Sequence, residues 1–302
     1  MELNSFQEKM RHFLPEIELR FAEPMSRHTS LRIGGPAEVM AFPQNPQELA
    51  HILKVTKELD ITCAILGAGT NILAPDEGCR GVVICLKDCL GGMEPLPGNC
   101  IRVMAGVTMA RAAVFAANHG LSGLEFAHGI PGTVGGGVYM NAGAYGGEMS
   151  GICRSVTLMD GAGQLREVNA RELEFSYRHS KLQESGEIVI SAVLQLQPAA
   201  PEEIKQKMRE LQAKRLASQP LDYPSAGSAF KRPAGGYAAA LIDQAGLRGF
   251  QVGQAAIARK HAGFAINLGG ATAAEMRELL TQVSDRVFWQ TGIRLEPEIR
   301  IW

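Results

Sequence analysis

The sequence predicts an α+β fold with more than one domain, and three observations lead to this prediction. First, capped segments with helical spacing of apolar residues alternate with short segments typical of strands. Second, the chain has 302 residues, which is more than one small hydrophobic core usually needs. Third, 46% of the residues are hydrophobic and 20% are charged, which is ordinary for a globular protein.

The first part of the chain is predicted to contain a helix and two buried strands. Residues 46–59 have a helical apolar stripe, Asn45 can cap that helix, and Pro46 suits its first turn. The apolar runs 61–66 and 82–86 have the length and composition of buried strands. This order of elements indicates an αβ pattern.

The middle part is predicted to open with a helix and to close with a long strand. Thr108 can cap this helix and Gly120 can end it, and the residues between them are rich in alanine. Strand signals follow at 156–159 and at 187–197, where apolar residues alternate. A domain boundary is predicted near the Pro-Ala-Ala-Pro sequence at 198–201.

The last part is predicted to contain two helices with a polar loop after the first. The first helix spans residues 202–217, and the loop 218–236 carries prolines and glycines. Thr272 and Glu275 have the spacing of a capping box at the start of the final helix. The chain therefore reads as an α+β protein with a smaller domain at its end.

Charge and hydropathy exclude several classes of partner. The formal net charge is -1, with 30 basic and 31 acidic residues, so no excess indicates nucleic acid or an anionic membrane. No apolar run reaches the roughly 18 residues of a membrane span, and the first residues lack a secretory signal pattern. We therefore expect a cytoplasmic protein with no nucleic-acid or membrane partner, and a monomer by default.

The six cysteines are interpreted as reduced thiols of the core. None of them forms a C-x-x-C pair, and several lie in apolar stretches. A metal site would require closer cysteine pairs with nearby histidines. No metal ion is therefore expected.

Two glycine-rich loops are the main indications of ligand binding. The first loop, residues 66–73, directly follows a predicted strand. Glycines let the backbone approach a ligand, and exposed N–H groups can bind phosphate oxygens. The dinucleotide fingerprint fails here, because its third glycine would fall at Ile72. Taken alone, this loop is also compatible with a structural turn that binds nothing.

The second loop, residues 129–147, favours a ligand cradle over a mobile linker. So many glycines are entropically costly in a folded chain. Apolar residues such as Ile130, Val134 and Val138 interleave with the glycines, which is unusual for a solvated linker. Two phosphate-compatible loops suit a cofactor with a pyrophosphate, but composition does not distinguish FAD from another nucleotide.

Six motifs occur in a fixed order over nearly the whole chain. They are residues 29–37 (TSLRIGGPA), 67–73 (GAGTNIL), 123–126 (GLEF), 175–180 (FSYRHS), 226–233 (AGSAFKRP) and 295–300 (LEPEIR). Together they closely resemble the UDP-N-acetylenolpyruvoylglucosamine reductases, flavoenzymes that make UDP-N-acetylmuramate for peptidoglycan. Each motif is modest alone, but the ordered series is highly specific.

The resemblance implies the FAD-binding fold of vanillyl-alcohol oxidase, followed by a C-terminal α+β substrate-binding domain. Residues 1–198 would form the FAD-binding domain, with two subdomains divided near residue 106, and residues 199–302 would bind substrate. Non-covalent FAD, NADPH as electron donor and a UDP-sugar substrate are also implied. The short segment after Arg178 resembles the subtype without an extra tyrosine-bearing loop. Matching motifs place the following residues on FAD: Gly67, Ala68, Gly69, Thr70, Asn71, Ile72, Pro131, Gly132, Thr133, Gly136, Asn141 and Gly143.

The chemistry implied by the resemblance is hydride transfer to C3 of the enolpyruvyl group and protonation of C2. Arg178 is the candidate for stabilising the developing enolate, because guanidinium stays charged and can grip a carboxylate through two hydrogen bonds. Ser228 is the candidate proton donor to C2. Glu298 could share a proton with the enolate or orient Arg178.

Basic residues near the end of the chain are the candidates for binding the substrate diphosphate. Among them we predict Arg215 and Lys231, although Lys231 could instead polarise Ser228. His128 departs from the family pattern, because a small residue is expected at that position. The histidines that invite a metal or covalent-flavin reading, and that we expect instead to be packed or solvated, are His28, His119, His128, His179 and His261.

Two other functions are compatible with a flavin-binding chain. One is an oxidase of the same fold that uses oxygen as the acceptor, and the joint presence of Arg178, Ser228 and Glu298 argues against it. The other is a flavin-binding module without catalysis. Full turnover by a Ser228→Ala protein would favour that module or a different proton donor.

Overall fold

The computed structural model describes residues 2–302 and divides into two compact units. Unit 1 comprises the residues up to Phe21 together with Val39–Ala68 and Arg80–Ala213. Unit 2 comprises Ala22–Glu38, Gly69–Cys79 and Lys214–Trp302. Each unit is therefore assembled from three separate stretches of the chain. The division of roles between residues 1–198 and 199–302 stays a prediction.

Eight α-helices occur in residues 2–302. They are α1 (Glu2–Phe13), α2 (Pro46–Glu58), α3 (Met109–Asn118), α4 (Val134–Tyr139), α5 (Leu182–Ser185), α6 (Pro201–Ser218), α7 (Ala238–Gln244) and α8 (Ala273–Thr291). The strands are short, which is consistent with small sheets joined by many turns. They are β1 (Glu18–Pro24), β2 (Pro36–Phe42), β3 (Cys63–Leu66), β4 (Ile72–Leu73), β5 (Cys79–Cys85), β6 (Met93–Leu96), β7 (Cys100–Met104), β8 (Leu121–Ser122), β9 (Gly143–Ala144), β10 (Gly147–Glu148), β11 (Cys153–Met159), β12 (Leu165–Asn169), β13 (Ile188–Gln195), β14 (Gln197–Pro198), β15 (Ser225–Ser228), β16 (Gln251–Val252), β17 (Ala255–Ile257), β18 (Phe264–Asn267) and β19 (Arg300–Ile301).

Two sheets are formed by strands between residues 18 and 195. One has the strand order β1-β2-β5-β3, with β3 and β5 parallel. The other has the order β12-β11-β13-β7-β6 and is antiparallel, with Val156 opposite Ala192. In unit 1 the apolar face of α2, including Leu49 and Ile52, packs in a buried cluster with Ile84 of β5. Burial of such side chains is the main stabilising contribution to a core of this kind.

Unit 2 is built on a four-stranded antiparallel sheet of order β15-β18-β17-β16. Helix α8 packs against β16 and β17. Its residues Met276, Leu279 and Val283 are fully buried, because they recur at helical spacing on one face. The capping box predicted for α8 is confirmed, since Thr272 accepts from Glu275 N and Glu275 caps the N–H of Thr272.

The predicted helices and long strands are confirmed with small changes at their ends. Asn45 caps α2 and Thr108 caps α3, each through its side-chain oxygen. The predicted strands 61–66 and 187–197 are shorter in the structure, at Cys63–Leu66 and Ile188–Gln195. Ends of this kind are the least determined part of a pattern, because terminal residues lack neighbours on one side.

The second glycine-rich loop contains a helix that the sequence does not predict. Val134–Tyr139 is helical although three of its six residues are glycines, which are poor helix formers. Close packing explains this choice of residue. A Cβ on Gly135 would lie 2.9 Å from the Cβ of Ala105, and one on Gly137 would lie 2.8 Å from Met109 Sδ. Treating the whole segment 129–147 as a loop was therefore wrong for residues 134–139.

The cysteines are all free, but they are not all in the core. Cys85, Cys100 and Cys153 are buried, whereas Cys63 is exposed. Burial raises the pKa of the Cys85 thiol to about 11 and that of Cys153 to about 12. The core interpretation therefore holds for these buried thiols and is wrong for Cys63.

Metal ligation and membrane crossing both require particular arrangements of side chains. Residues 2–302 hold no cluster of three or more His, Cys, Asp or Glu side chains arranged as metal ligands. None of the helices between Glu2 and Trp302 combines the length and apolar character that a membrane span requires.

Candidate functional site

The two glycine-rich loops meet inside unit 1. Gly67, at the end of β3, lies so close to Thr133 that a Cβ on Gly67 would be 2.8 Å from Thr133 Oγ1. Thr133 is buried and caps α4 by accepting from Gly136 N. Because Gly67 has no side chain, the first loop can contact a hydroxyl of the second. The sequence alone could not show this contact, since the two residues are far apart along the chain.

The backbone of the second loop is anchored to the segment that connects β7 to α3 and to the first residue of α3. Val134 N donates to Val107 O over 2.8 Å, and Gly135 N donates to Ala105 O over 3.0 Å. In return, Gly132 O accepts from Met109 N over 2.9 Å. These bonds fix the conformation of residues 132–135, so a ligand would meet a preformed backbone there.

The far end of the second loop is shaped by Asn141. This residue is 1% exposed and has a φ of 44°. Its side chain donates to Ser176 O over 3.0 Å and accepts from Ser150 N over 2.9 Å. Asn tolerates this left-handed conformation better than most side chains do. The predicted contact of Asn141 with FAD stays a prediction, and its amide already bonds to two protein groups.

Arg178 lies on a tight turn beside the second loop. Ser176 and His179 form two backbone hydrogen bonds with each other, so Tyr177 and Arg178 occupy the centre of the turn. Arg178 has a φ of 56°, a conformation that favours glycine. Its Nη1 donates to Gly143 O over 3.5 Å, and its guanidinium lies 5.3 Å from the centre of the Tyr177 ring. Arg178 and Gly143, two predicted site residues, are therefore neighbours in unit 1.

The rest of the first loop belongs to unit 2. Gly69 has a φ of 61°, and a Cβ there would lie 2.0 Å from the carbonyl oxygen of His28. Only glycine fits this position, because any larger residue would clash with the backbone of residue 28. The same Cβ would lie 3.0 Å from the Cα of Thr29, so the first residue of the TSLRIGGPA motif also packs directly on the first loop.

Asn71 connects the first loop to the last strand of the chain. Its Nδ2 donates to Glu298 O over 3.2 Å, and its carbonyl accepts from Arg300 N over 3.0 Å. Arg300 then pairs with Ile72 in the parallel pair β19–β4. The structure therefore brings Asn71 and Glu298 together, as two predicted site residues from opposite ends of the sequence.

Ser228 lies at an irregular position of β15. The pairing of β15 with β18 shifts between Ser225 and Ser228, and Gly227 between them has a φ of 79°. An extra residue of this kind turns the neighbouring side chain out of the regular alternation. Ser228 is partly buried there, opposite Phe264.

The segment after Ser228 lies beside Glu298. Ala229 N donates to Gly263 O over 2.8 Å, and Ala229 O accepts from Glu298 N over 2.9 Å. Lys231 N donates to Glu296 O, and the two side chains also form a short ion pair. Glu296 was not among the predicted site residues, although it lies in the LEPEIR motif, two residues before Glu298.

His261 supports the segment that carries Ser228. Its Nδ1 accepts from Gly263 N over 3.1 Å, and Gly263 O is the acceptor for Ala229. Burial lowers the pKa of His261 below its ordinary value, so the neutral ring that this hydrogen bond requires is favoured. The histidines were expected to be packed or solvated, and His261 is a partly buried, packed residue.

The remaining predicted residues lie within one unit or the other. Unit 1 holds Arg178 and the second loop, whereas unit 2 holds Ser228, Lys231, Glu298 and Arg215, which lies in the last turn of α6. His128 lies just before the second loop, and its Nδ1 is buried without a hydrogen-bond partner in residues 2–302. The assignment of these residues to FAD, substrate and catalysis stays a prediction.

The loops fit a nucleotide cofactor. Gly67 allows close approach to Thr133, and a Cβ on Gly136 would meet only Thr133 Oγ1 within 4 Å, at 3.5 Å. His128 adds a buried polar atom without a protein partner. Two glycine-bearing backbones with hydroxyl and imidazole groups nearby can bind a pyrophosphate without a large net charge.

Comparison with known proteins defines the class. Residues 37–169 match the model of an FAD binding domain. The alkyldihydroxyacetonephosphate synthase structure superposes with a TM-score of 0.51 at 14% identity, over 65% of this chain and 40% of that one, which shows a shared fold. The protein is an FAD-binding protein with the fold of the vanillyl-alcohol oxidase type.

The family follows from three closer matches. Residues 219–302 match the model described as UDP-N-acetylenolpyruvoylglucosamine reductase, C-terminal domain. The enzyme of that name from Agathobacter rectalis is 44% identical, and one from Streptococcus pneumoniae is 42% identical; each alignment covers 98% of both chains. The reductase structure from Thermus caldophilus superposes with a TM-score of 0.77 at 34% identity, over 95% of this chain and 99% of that one. The chain belongs to the UDP-N-acetylenolpyruvoylglucosamine reductase family, which confirms the predicted family and shows that the protein is an FAD-dependent oxidoreductase.

Proposed function

We propose that Arg178, Ser228 and Glu298 carry the chemistry of an NADPH-dependent reduction of UDP-N-acetylenolpyruvoylglucosamine to UDP-N-acetylmuramate. FAD, when bound, would supply the redox chemistry that links oxidation of NADPH to reduction at C3 of the enolpyruvyl group. The observation that carries the residue assignment is the hydrogen bond of Glu298 N to Ala229 O, directly after Ser228. It connects the end of β15, which carries the hydroxyl of Ser228, to the segment before β19, which carries the carboxylate of Glu298.

Gly67 and the second loop would hold the cofactor. Gly67 and Thr133 are in contact, and Gly132–Gly135 are fixed by hydrogen bonds to residues 105–109. A preformed backbone of this kind binds a ligand without losing its own conformational freedom. Gly69, Thr70, Asn71 and Ile72 would complete the contacts with FAD.

Arg178 would stabilise the negative charge that develops on the substrate carboxylate and C2. Its backbone conformation is fixed by the turn, so the guanidinium needs little reorganisation when charge develops. A fork of two parallel N–H groups matches a carboxylate better than an ammonium does.

Ser228 would donate the proton that C2 receives. A serine hydroxyl is a weak acid, and it can act here because an enolate is a strong base. Glu298, whose backbone N–H donates to Ala229 O next to Ser228, would share a proton with the enolate. Lys231 and Arg215 would bind the diphosphate of the UDP-sugar, with Glu296 holding the ammonium of Lys231.

The broader assignments belong to the same proposal. Residues 1–198 would form the FAD-binding domain and residues 199–302 the substrate-binding domain. The protein would act in the cytoplasm as a monomer, without nucleic-acid or membrane partners. The balanced net charge of -1 supports the absence of a polyanionic partner.

An anaerobic titration followed by visible absorbance tests the proposed function. The FAD-loaded protein should lose its flavin absorbance on addition of NADPH and recover it only with UDP-N-acetylenolpyruvoylglucosamine. Ser228→Ala and Arg178→Lys should still be bleached by NADPH but recover colour slowly. Recovery with oxygen alone at the same rate would support an oxidase instead, and equal loss in both steps would contradict the residue roles.

A further inference from the structure

Gln183 donates hydrogen bonds to the turn that carries Arg178. Its Nε2 lies 3.1 Å from Arg178 O and 3.2 Å from Tyr139 O. Tyr139 is the last residue of α4, in the second glycine-rich loop. The two amide hydrogens of Gln183 therefore join the backbone of Arg178 to the backbone of that loop. No motif in the sequence singled out this residue.

Ser180 strengthens the same connection. It is fully buried, and its Oγ donates to Tyr139 O over 2.7 Å. The carbonyl oxygen of Tyr139 thus accepts hydrogen bonds from two side chains, those of Ser180 and Gln183. Asn141 adds a third connection, from the loop to Ser176 O at the start of the turn. The turn is therefore held by side chains at its beginning and after its end.

Arg178 requires such support because its conformation is unfavourable. A non-glycine residue at a φ of 56° costs on the order of 1 kcal/mol, so the turn would relax if its neighbours did not hold it. The bond from Gln183 acts on Arg178 itself, at the carbonyl of the strained residue. Loss of this bond would let the peptide after Arg178 rotate and move the start of its side chain.

We propose that Gln183 is a positioning residue, which holds the Arg178 guanidinium where the substrate carboxylate is bound. This inference rests on the proposed role of Arg178. The side chain at 183 must be a donor, because it faces two carbonyl oxygens. A lysine at position 183 can donate hydrogen bonds and should replace the glutamine in part. A glutamate at this position would repel both carbonyl oxygens.

The test measures the two half-reactions separately in FAD-loaded protein, by anaerobic stopped-flow absorbance. The variants are Gln183→Ala, Gln183→Glu, Gln183→Lys, Arg178→Ala and the double variant of Gln183→Ala with Arg178→Ala. Gln164→Ala is the matched control, because Gln164 is an exposed glutamine of unit 1. Binding of the enolpyruvyl substrate to the oxidised protein is measured by titration, and thermal unfolding is followed by circular dichroism.

We expect Gln183→Ala to slow flavin reoxidation by the substrate roughly 10- to 100-fold, the scale of a misplaced catalytic group. Reduction by NADPH should keep the rate of the unmodified protein, as should both steps in Gln164→Ala. Gln183→Glu should be slower than Gln183→Ala, and Gln183→Lys faster. In the Arg178→Ala background, Gln183→Ala should cause no further slowing, because both changes act on the same guanidinium.

Three results would overturn the inference. They are an unchanged reoxidation rate in Gln183→Ala, equal slowing of both half-reactions, and the full slowing factor appearing again in the Arg178→Ala background. Failure of the proposed function would look different, since Arg178→Ala by itself would then keep a normal reoxidation rate. A drop in the unfolding temperature with unchanged kinetics would show that Gln183 has only a structural role.

Discussion

The two regions that carry the proposed catalytic residues are held in place by different means. The turn Ser176–His179 in unit 1 is tied to its surroundings by the side chains of Asn141, Ser180 and Gln183. The segment 228–231 in unit 2 is held by backbone hydrogen bonds on both sides, to Gly263 and to residues 296–298. One region depends on the identity of a few side chains, whereas the other depends on strand pairing that most residues can provide.

This difference has a consequence for substitutions. Changing one supporting side chain should move Arg178, because no regular strand pairing compensates at the turn. Changing one side chain near Ser228 should leave that backbone in place and remove only the chemistry of the group replaced. The following predictions test this contrast, from the largest expected effect to the smallest.

Ser228→Ala should give the largest loss. Reoxidation of the flavin by the enolpyruvyl substrate should slow by roughly 10²–10⁴-fold, the range for a positioned proton donor. The unfolding temperature should change little, because the backbone pairing of this segment does not use the hydroxyl. Stopped-flow absorbance and a thermal melt measure the two quantities, with Ser225→Ala on the same strand as the control. A large loss of stability would show that the two regions do not differ as described.

Arg178→Gly should separate activity from stability. Glycine accepts the φ of 56° without strain, so the free energy of unfolding should rise or stay unchanged. Reoxidation by substrate should nevertheless slow about 10²–10³-fold, the usual cost of removing a charge-stabilising donor. Urea unfolding and half-reaction rates provide the measurements, and Arg178→Lys should lose activity without the gain in stability. A less stable Arg178→Gly protein would argue against strain in the turn.

Ser180→Ala should weaken the turn without touching substrate. The buried hydroxyl donates to Tyr139 O, and removing it should lower the free energy of unfolding by about 1–2 kcal/mol. Reoxidation should slow less than in Gln183→Ala, because Ser180 bonds to the loop and not to Arg178. The comparison uses urea unfolding together with stopped-flow rates. If Ser180→Ala had no effect on either quantity, side-chain support of the turn would be excluded.

His261→Gln should give the smallest effect, seen in the pH dependence of stability. Because the pKa of His261 is lowered by burial in the folded state, the unfolded chain takes up this proton first as pH falls below the ordinary value of 6.5. Stability should therefore decrease between pH 6.5 and lower pH, and less steeply in the variant. The pKa of His51 is also lowered by burial, so His51 contributes to the pH dependence of stability in both proteins. The variant should therefore show a reduced pH dependence and not a complete loss of it. Urea unfolding at several pH values measures this difference, and identical slopes would rule it out.

The elements that the sequence predicted correctly are those specified by residues close together along the chain. The caps at Asn45, Thr108 and Thr272 are each formed with a backbone N–H three residues further on, so their neighbours alone specify them. Helix α4 was missed, because the reason for its glycines lies in Ala105 and Met109, which are packed against it from elsewhere. Intrinsic propensity gave the wrong answer where close packing decided the conformation.

The candidate site shows the same limit. The motifs identified Arg178, Ser228 and Glu298 as candidates, but not the residues that hold them. Gln183 lies outside the six motifs, and no periodicity or spacing encodes its hydrogen bonds to Arg178 O and Tyr139 O. Similarly, the contact between Gly67 and Thr133 depends on how the sheets and helices of unit 1 assemble. A sequence indicates which groups are present more readily than what surrounds them.

The pairing of Asn71 with Glu298 has a consequence for the synthesis of the protein. These two residues are separated by 227 positions. At the usual 5–20 residues per second, the ribosome needs roughly 10–45 s between making one and making the other. During this interval the first loop lacks the strand that later fixes Asn71 and Ile72. Its final hydrogen bonds therefore form only after nearly all of the chain has been translated.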